Sequence, residues 1–298
     1  MSPQLSIAGR YPLTFRSYRR RVQSGIFRVG VIIITTISPI IVAWIRQRQI
    51  MRRSVLIIIT VLGVGLSVLS SPNASQGVTL RWFGHAFVLV TSAEGVKVAL
   101  DPFGDIGYPW SGAAADAVTV SHEHGDHNSA DRLAGSPVIL RGLKAGGAGW
   151  NAISYTKKDL RITALPAFHD NVEGRKRGLN SIFIVETGGL RFAHLSDIGH
   201  IPSQAMLKKM GRVDVLLIPV GGVFSIDGRQ AKEIMSRLRP RITVPIHYKT
   251  PVTAAWPIAD ESAFLNGLKN VRRLNTLIVS LTPETLPRQP EIWVMRYQ

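Results

Sequence analysis

The sequence predicts a mixed α/β (α+β) fold of sheets flanked by helices, on three observations. From Val78 the chain breaks into short runs rich in β-branched and aromatic residues, punctuated by turn residues, as strands require. Stretches of helical period fall between the later runs. Two runs, "VDVLLIPVG" and "RITVPIHY", are nearly continuously apolar, as strands covered on both faces are.

Taken in order, "VTLRWFG", "AFVLVTS" and "VKVALD" read as three strands with turns at Gly84 and at Glu94-Gly95. "DAVTVSH", "SPVILRG" and "RITALPAF" follow as strands. "NSIFIVETG" and "LRFAHLSD" are joined by Gly188 and Gly189 as a hairpin would be. "SQAMLKKM" is a short amphipathic helix, "GRQAKEIMSRLRP" a longer one stopped by Pro240, and "DESAFLNGLKN" carries acids where a helix N-terminus favours them. No repeat or low-complexity linker divides residues 77–298, which read as one domain.

The chain has 298 residues, 45% of them apolar, enough for a substantial core, and a net charge of +17. The placement of that charge matters more than its size. Ten arginines fall before residue 55, where there is no acid, and the first acid is Glu94. The remaining 26 basic residues face 19 acids, so the rest of the chain carries only +7 and needs no nucleic acid to explain it. Cysteine is absent, which excludes disulfides and thiolate metal ligands.

The segment before the domain has its own layout. Val29 to Ile45 is a 17-residue apolar run interrupted by Pro39, short of a comfortable membrane span. "MRRSVLIIITVLGVGLSVLSSPNASQG", from Met51, has a basic stub, a 15-residue apolar core (Val55 to Leu69) and a small polar exit, the three parts of a secretory signal. Residues 51–76 are therefore expected to be a signal peptide or anchor. Residues 1–50 are expected to be an upstream extension before the true start at Met51, or else a membrane segment. Either reading makes the protein exported or membrane-anchored.

"HEHGDH", residues 122–127, is the densest chemistry in the chain. His122 and His124 leave an extended strand end two residues apart, so both imidazoles point to one side. Asp126 and His127 follow a turn allowed by Gly125 and aim elsewhere. One divalent ion cannot accept all four comfortably, whereas two can, with His122 and His124 on the first and Asp126 and His127 on the second. The missing ligands must come from later strand ends, where His169, Asp197 and His247 each follow an apolar run. Asp197 has two oxygens and can bridge two cations.

The H-x-H-x-D-H run with later single His, Asp and His residues resembles the metallo-β-lactamase superfamily. "WFGHAFVLV", "LDPF", "HEHGDH", "LPAFHD", "HLSDIGH", "LIPVGGVFSID" and "VPIHYKT" resemble its branch of ascorbate-6-phosphate lactonases, over roughly residues 78 to 250. The resemblance implies an αββα sandwich with two metals at one edge of the paired sheets. The first metal would take His122, His124 and His169, and the second Asp126, His127 and His247, with Asp197 between them. Zinc is the default ion for such donors, and Mn²⁺ or Fe²⁺ fits the same set. The implied reaction is hydrolysis of a small ester, lactone or phosphoester by a hydroxide held between the ions. Asp126 would orient that hydroxide or relay a proton. His200, three residues after Asp197, would face the cleft and contact substrate or donate a proton, or else lie at the surface. The sequence departs from the pattern at Ser196, where relatives more often have Gly before the Asp.

Other residues carry two readings each. His85 would steady a ligand or substrate, or pack at a strand end. Asp101 would accept a bond from a ligating imidazole, or form a turn before Pro102. His194 reads as structural, Glu123 as pointing away from the metals, and Gly221-Gly222 as a turn at the cleft rim. Tyr248, Lys249 and the basic loop "GRKRG" (174–178) would meet an anionic substrate or be ordinary surface residues. Two further functions stay open: a phosphodiesterase for a lipid-like substrate, and a non-catalytic metal-binding module. The start at Met51 is checked by mass spectrometry of N-terminal peptides, which should contain none from residues 1–50; a single such peptide overturns it.

Overall fold

The computed structural model describes residues 77–110 and 112–297, so the expectations for residues 1–50 and 51–76 lie outside the described residues. Two sheets are present. One has six strands: β1 (Val78–Gly84), β2 (Phe87–Thr91), β3 (Lys97–Leu100), β4 (Ala117–Val120), β5 (Val138–Arg141) and β13 (Ile278–Leu281), in the order β13-β1-β2-β3-β4-β5. The other has eight: β6 (Ser154–Lys157), β7 (Leu160–Phe168), β8 (Leu179–Thr187), β9 (Leu190–His194), β10 (Val215–Pro219), β11 (Ile242–Ile246), β12 (Val271–Arg273) and β14 (Glu291–Val294), in the order β12-β14-β11-β10-β9-β8-β7-β6.

The two-residue period of the strands divides the core. Leu80, Trp82, Val88, Val90, Val98 and Leu100 of the six-stranded sheet share one apolar cluster with Ile182, Phe192 and Leu216 of the eight-stranded sheet. Their neighbours Phe83, Phe87, Ala99, Val118 and Val120 point the other way, into a second cluster. β10 and β11 are buried at every position, as their unbroken apolar runs predict. Thr187 pairs with Leu190 across Gly188-Gly189, so the hairpin stands where the sequence places it.

Among the described residues the α-helices all follow β9, so the outer helical layer of an αββα arrangement is seen on one sheet: α1 (Gln204–Met210), α2 (Gly228–Leu238) and α3 (Ser262–Leu265). α1 touches β7 and α2 touches β10, so both belong to the eight-stranded sheet. Among the described residues, the second face of the six-stranded sheet is covered by Phe103, Ile106, Tyr108 and Trp110, together with Ala130 and Leu133. The covering stretch, 101–116, holds Pro102, Pro109 and three glycines and cannot be helical, yet its aromatics supply the apolar surface a helix would have brought. α3 is a single turn because the chain leaves helical backbone at Asn266 (φ −54°, ψ 125°) and reverses at Gly267, φ 77°. Among the described residues no helix is long and apolar enough to cross a membrane.

Parallel pairing sets the position of the chemistry. β3, β4 and β5 run parallel in one sheet, and β9, β10 and β11 run parallel in the other. Asp101, His122, Asp197 and His247 lie at or just past the C-terminal ends of β3, β4, β9 and β11. Two glycines let the loops meet there. A Cβ at Gly199 would lie 2.4 Å from backbone atoms of His169 and Asp170, and one at Gly221 would lie 2.4 Å from the His247 carbonyl.

Gly125, read as permitting a sharp turn, has no left-handed φ, and a Cβ there meets nothing within 4 Å. The His127 N–H donates to the His124 carbonyl at 2.9 Å in an ordinary turn that any residue can make. Thermal unfolding should therefore separate the two glycines. Gly199→Ala is expected to cost about 1–3 kcal/mol because backbone must give way, and Gly125→Ala to stay within about 0.5 kcal/mol.

Candidate metal centre

Past β4, His122 Nε2 and His124 Nδ1 converge to 3.1 Å, and His169, just past β7, joins them. These three donors lie within 4.8 Å of one another. A second group, also within 4.8 Å, contains Asp126, His127, His247 and His85. Asp197 Oδ2 stands between the groups, 3.4 Å from His169 Nε2, 3.3 Å from His127 Nε2 and 3.1 Å from His247 Nε2. The structure thus brings together all seven expected ligands and divides them as the spacing of "HEHGDH" suggests.

His85 is the addition. The β1–β2 pairing slips between Trp82 and Gly84, and His85 takes a left-handed φ of 50°, which swings its ring into the site. Its Nε2 lies 3.0 Å from Asp126 Oδ2, and its ring centroid 4.0 Å from that of His247. Burial, together with the neighbouring His247, lowers the His85 pKa to about 4. The ring is therefore neutral near pH 7 and donates its single N–H to the Asp126 carboxylate. Burial alone would raise the Asp126 pKa, but the His85 hydrogen bond and the His127 field outweigh it, and the carboxyl is held well below its ordinary range.

Asp101 lies beneath both groups. It is fully buried, and it accepts from Ser121 N at 2.9 Å, from Ser121 Oγ at 2.5 Å, from His127 Nδ1 at 3.1 Å and from the Ser196 hydroxyl. Burial pushes its carboxyl up, but the His127 bond and the fields of His194 and His127 prevail and hold it at about 2. As an anion it only accepts, so the His127 proton sits on Nδ1 and leaves the Nε2 lone pair free. Ser121 Oγ donates to Asp101 and can accept from His122 Nδ1 at 2.9 Å, which frees His122 Nε2 in the same way. One carboxylate thereby fixes the tautomer of one imidazole in each group.

Ser196 answers its departure from the family pattern. It adopts φ 49°, where glycine is favoured, and its hydroxyl donates to Asp101, offsetting the backbone strain. Asp101 and His247, at φ 46° and 49°, are strained likewise, the concentration expected where geometry serves chemistry.

These donors fit cations. His127 Nε2, His169 Nε2, His247 Nε2 and Asp197 Oδ1 are buried without a hydrogen-bond partner, a costly arrangement unless a cation meets them. Burial disfavours a charge on His127, yet Asp197 and Asp101 raise its pKa well above the ordinary value. The field that favours a proton there favours a metal cation in its place.

His200 is not brought into the site. Its Nε2 accepts the Phe168 N–H at 3.2 Å and its Nδ1 lies 3.2 Å from the Ile201 carbonyl, so both ring nitrogens serve the backbone, and the catalytic role expected for it has no free donor or acceptor to act through. His194 is buried in β9 against the Ala86 carbonyl (3.0 Å). Tyr248 packs on Trp82 in the core. Glu123 turns outward to Arg141, at 2.6 Å. Lys176 and Arg177 of the basic loop do reach the site. They line a cleft of about 470 Å³ whose floor is His124, Asp126, His169 and Asp197, with Phe224 and Trp256 on its walls.

A family model described as the β-lactamase superfamily domain matches residues 79–247. A UPF0173 protein of Pyrococcus furiosus is 31% identical over 216 residues, covering 68% of this chain and 95% of that one. A UPF0173 metal-dependent hydrolase of Anaeromyxobacter sp. strain K is 30% identical over 240 residues, 69% of this chain and 87% of that one. A solved Thermotoga maritima structure, provisionally assigned as a Zn-dependent hydrolase of the metallo-β-lactamase superfamily, aligns with TM-score 0.61 and 29% identity over 74% of this chain and 100% of that one. The fold and the site define a metal-dependent hydrolase of the β-lactamase superfamily. Within it, the chain belongs to the UPF0173 metal-dependent hydrolases.

The role given to Asp101 is open to measurement. Asp101→Asn should weaken metal affinity roughly ten- to a hundredfold in competition with a chromogenic chelator. The folded pKa of about 2 lies below the ordinary value, so the carboxylate stabilises the fold above about pH 4, and that share is lost as pH falls toward 2. Acid titration of metal-free protein should show the loss in wild type and a smaller one in Asp101→Asn.

Proposed function

We propose that the protein is a dinuclear hydrolase of a small ester, lactone or phosphoester. The observation that carries this reading is the convergence of two donor groups on Asp197 at the floor of an open cleft. His122, His124 and His169 would hold one ion, and Asp126, His127 and His247 the other, with Asp197 shared. Zinc is the ion these donors suit best. Bound divalent cations supply a water that is nucleophilic at neutral pH and a Lewis acid for the attacked oxygen.

The chain's own groups do the rest. Asp126, its side chain 23% exposed, is the more accessible of the two carboxylates at the cleft floor. Held by His85, it can take a proton from the attacking water and return it to the leaving oxygen. Trp256 packs edge-on against His85, at 5.3 Å between centroids, and gives the cleft an apolar wall that keeps bulk water from one side. The volume suits a small molecule better than a polymer, and the resemblance to lactonases supports the same class. The signal-like layout of Met51 to Gly77 supports placement outside the cytoplasm.

Metal-loaded protein should hydrolyse at least one member of a panel of lactones, carboxylic esters and phosphoesters. His124→Ala and exhaustive chelation should each reduce that rate to about a hundredth or less, with elemental analysis giving two ions per wild-type chain. Retention of full activity after either treatment would exclude the mechanism.

A further inference from the structure

The loop between β7 and β8 is built around one side chain. Asp170, buried beside the metal-site His169, accepts four backbone N–H groups at 2.8 Å: Val172 and Gly174 on Oδ1, Lys176 and Arg177 on Oδ2. The stretch "GRKRG" is therefore anchored at the backbone of two of its three basic residues. Arg175 pairs with Glu173 at 3.5 Å. Among the described residues, Lys176 and Arg177 have no carboxylate partner, and both line the cleft. Arg177 is half-buried, with its guanidinium 5.8 Å from the centre of the Phe224 ring.

Two unneutralised cations beside a site that gathers divalent ions repel what the site holds. Their placement becomes more favourable when negative charge enters the cleft with the substrate. Of the carboxylates nearby, Asp126 is bonded to His85, Asp170 to its own loop, and Asp197 faces the imidazoles through Oδ2. Phe224 and Trp256 add two aromatic rings, 6.4 Å apart and nearly perpendicular, that suit a flat or apolar moiety.

We propose that the substrate carries an anionic group, phosphate or carboxylate, bound by Lys176 and Arg177 away from the scissile bond, with its apolar part against Trp256. This rests on the hydrolase reading for the bond broken, but the anion site itself is a matter of binding. Calorimetry on metal-loaded protein with phenylphosphonate, benzoate and benzyl alcohol tests it. At least one anion should bind wild type more tightly than the alcohol, and the tighter anion identifies the group. Lys176→Gln/Arg177→Gln should weaken that anion roughly ten- to a hundredfold, with metal content and melting temperature unchanged, and Arg175→Gln should leave it unaffected. No preference for anions in wild type, a change under about twofold in the double variant, or an equal loss for the alcohol overturns the proposal. If the anion pattern holds but no panel ester is cleaved, the hydrolase reading fails and the anion site stands. If neutral esters are cleaved but the double variant binds anions normally, the reverse is true.

Discussion

The site depends on one buried anion. Asp101 receives Ser121 from its own sheet, Ser196 from the other, and His127 from the turn between the two donor groups. The Ser121 N–H and the His127 Nδ1–H point at this carboxylate in a dry interior, so removing the acceptor would leave buried donors unsatisfied. The same bonds decide which nitrogen of His122 and His127 is free to ligate. Ser196 shows how far the arrangement is constrained: a residue that pays in backbone strain is kept where its hydroxyl completes the set.

That anion sits where it does because parallel strands from two sheets end at one edge. Asp101 and His122 arrive on β3 and β4, and Asp197 and His247 on β9 and β11, and no single sheet could deliver both donor groups. Side chains leave the apolar layers only at these ends, so polar chemistry accumulates there while the layers between stay hydrophobic. Gly199 and Gly221 then allow the connecting loops to lie in direct backbone contact beneath the ligands.

Much of this was legible in the residues. The strand runs quoted between Val78 and Ile246 stand where their β-rich, turn-bounded texture puts them, and the candidate donors that converge were chosen from local spacing plus strand ends. The losses are instructive. His85 enters by a register slip and a left-handed backbone, neither of which has a residue signature at that position. His200 was read as facing the cleft from its spacing to Asp197, but Gly199 folds the chain against Asp170 and turns the ring to the backbone. The basic loop looked like a solvated charge run because nothing local announces that Asp170 gathers four N–H groups around itself; an Asp followed by Gly174 and Gly178 was the only available hint. Among the described residues, the outer face of the six-stranded sheet is covered by aromatics that do a helix's work from a proline- and glycine-rich loop, which no helical period in the sequence announces. β6, β12 and β13 carry too few buried positions to stand out.

Because the donors are divided between two sheets and spread from His122 to His247, the site is also a record of folding order. No segment that ends before β11 contains both donor groups in full, and the sheets must dock before the donors of either group meet. Such long-range assembly is slow relative to local helix or hairpin formation, so a chain still being made or threaded through a membrane has nothing complete to offer a cation. Whichever compartment the domain finishes folding in is the one whose metal pool it samples.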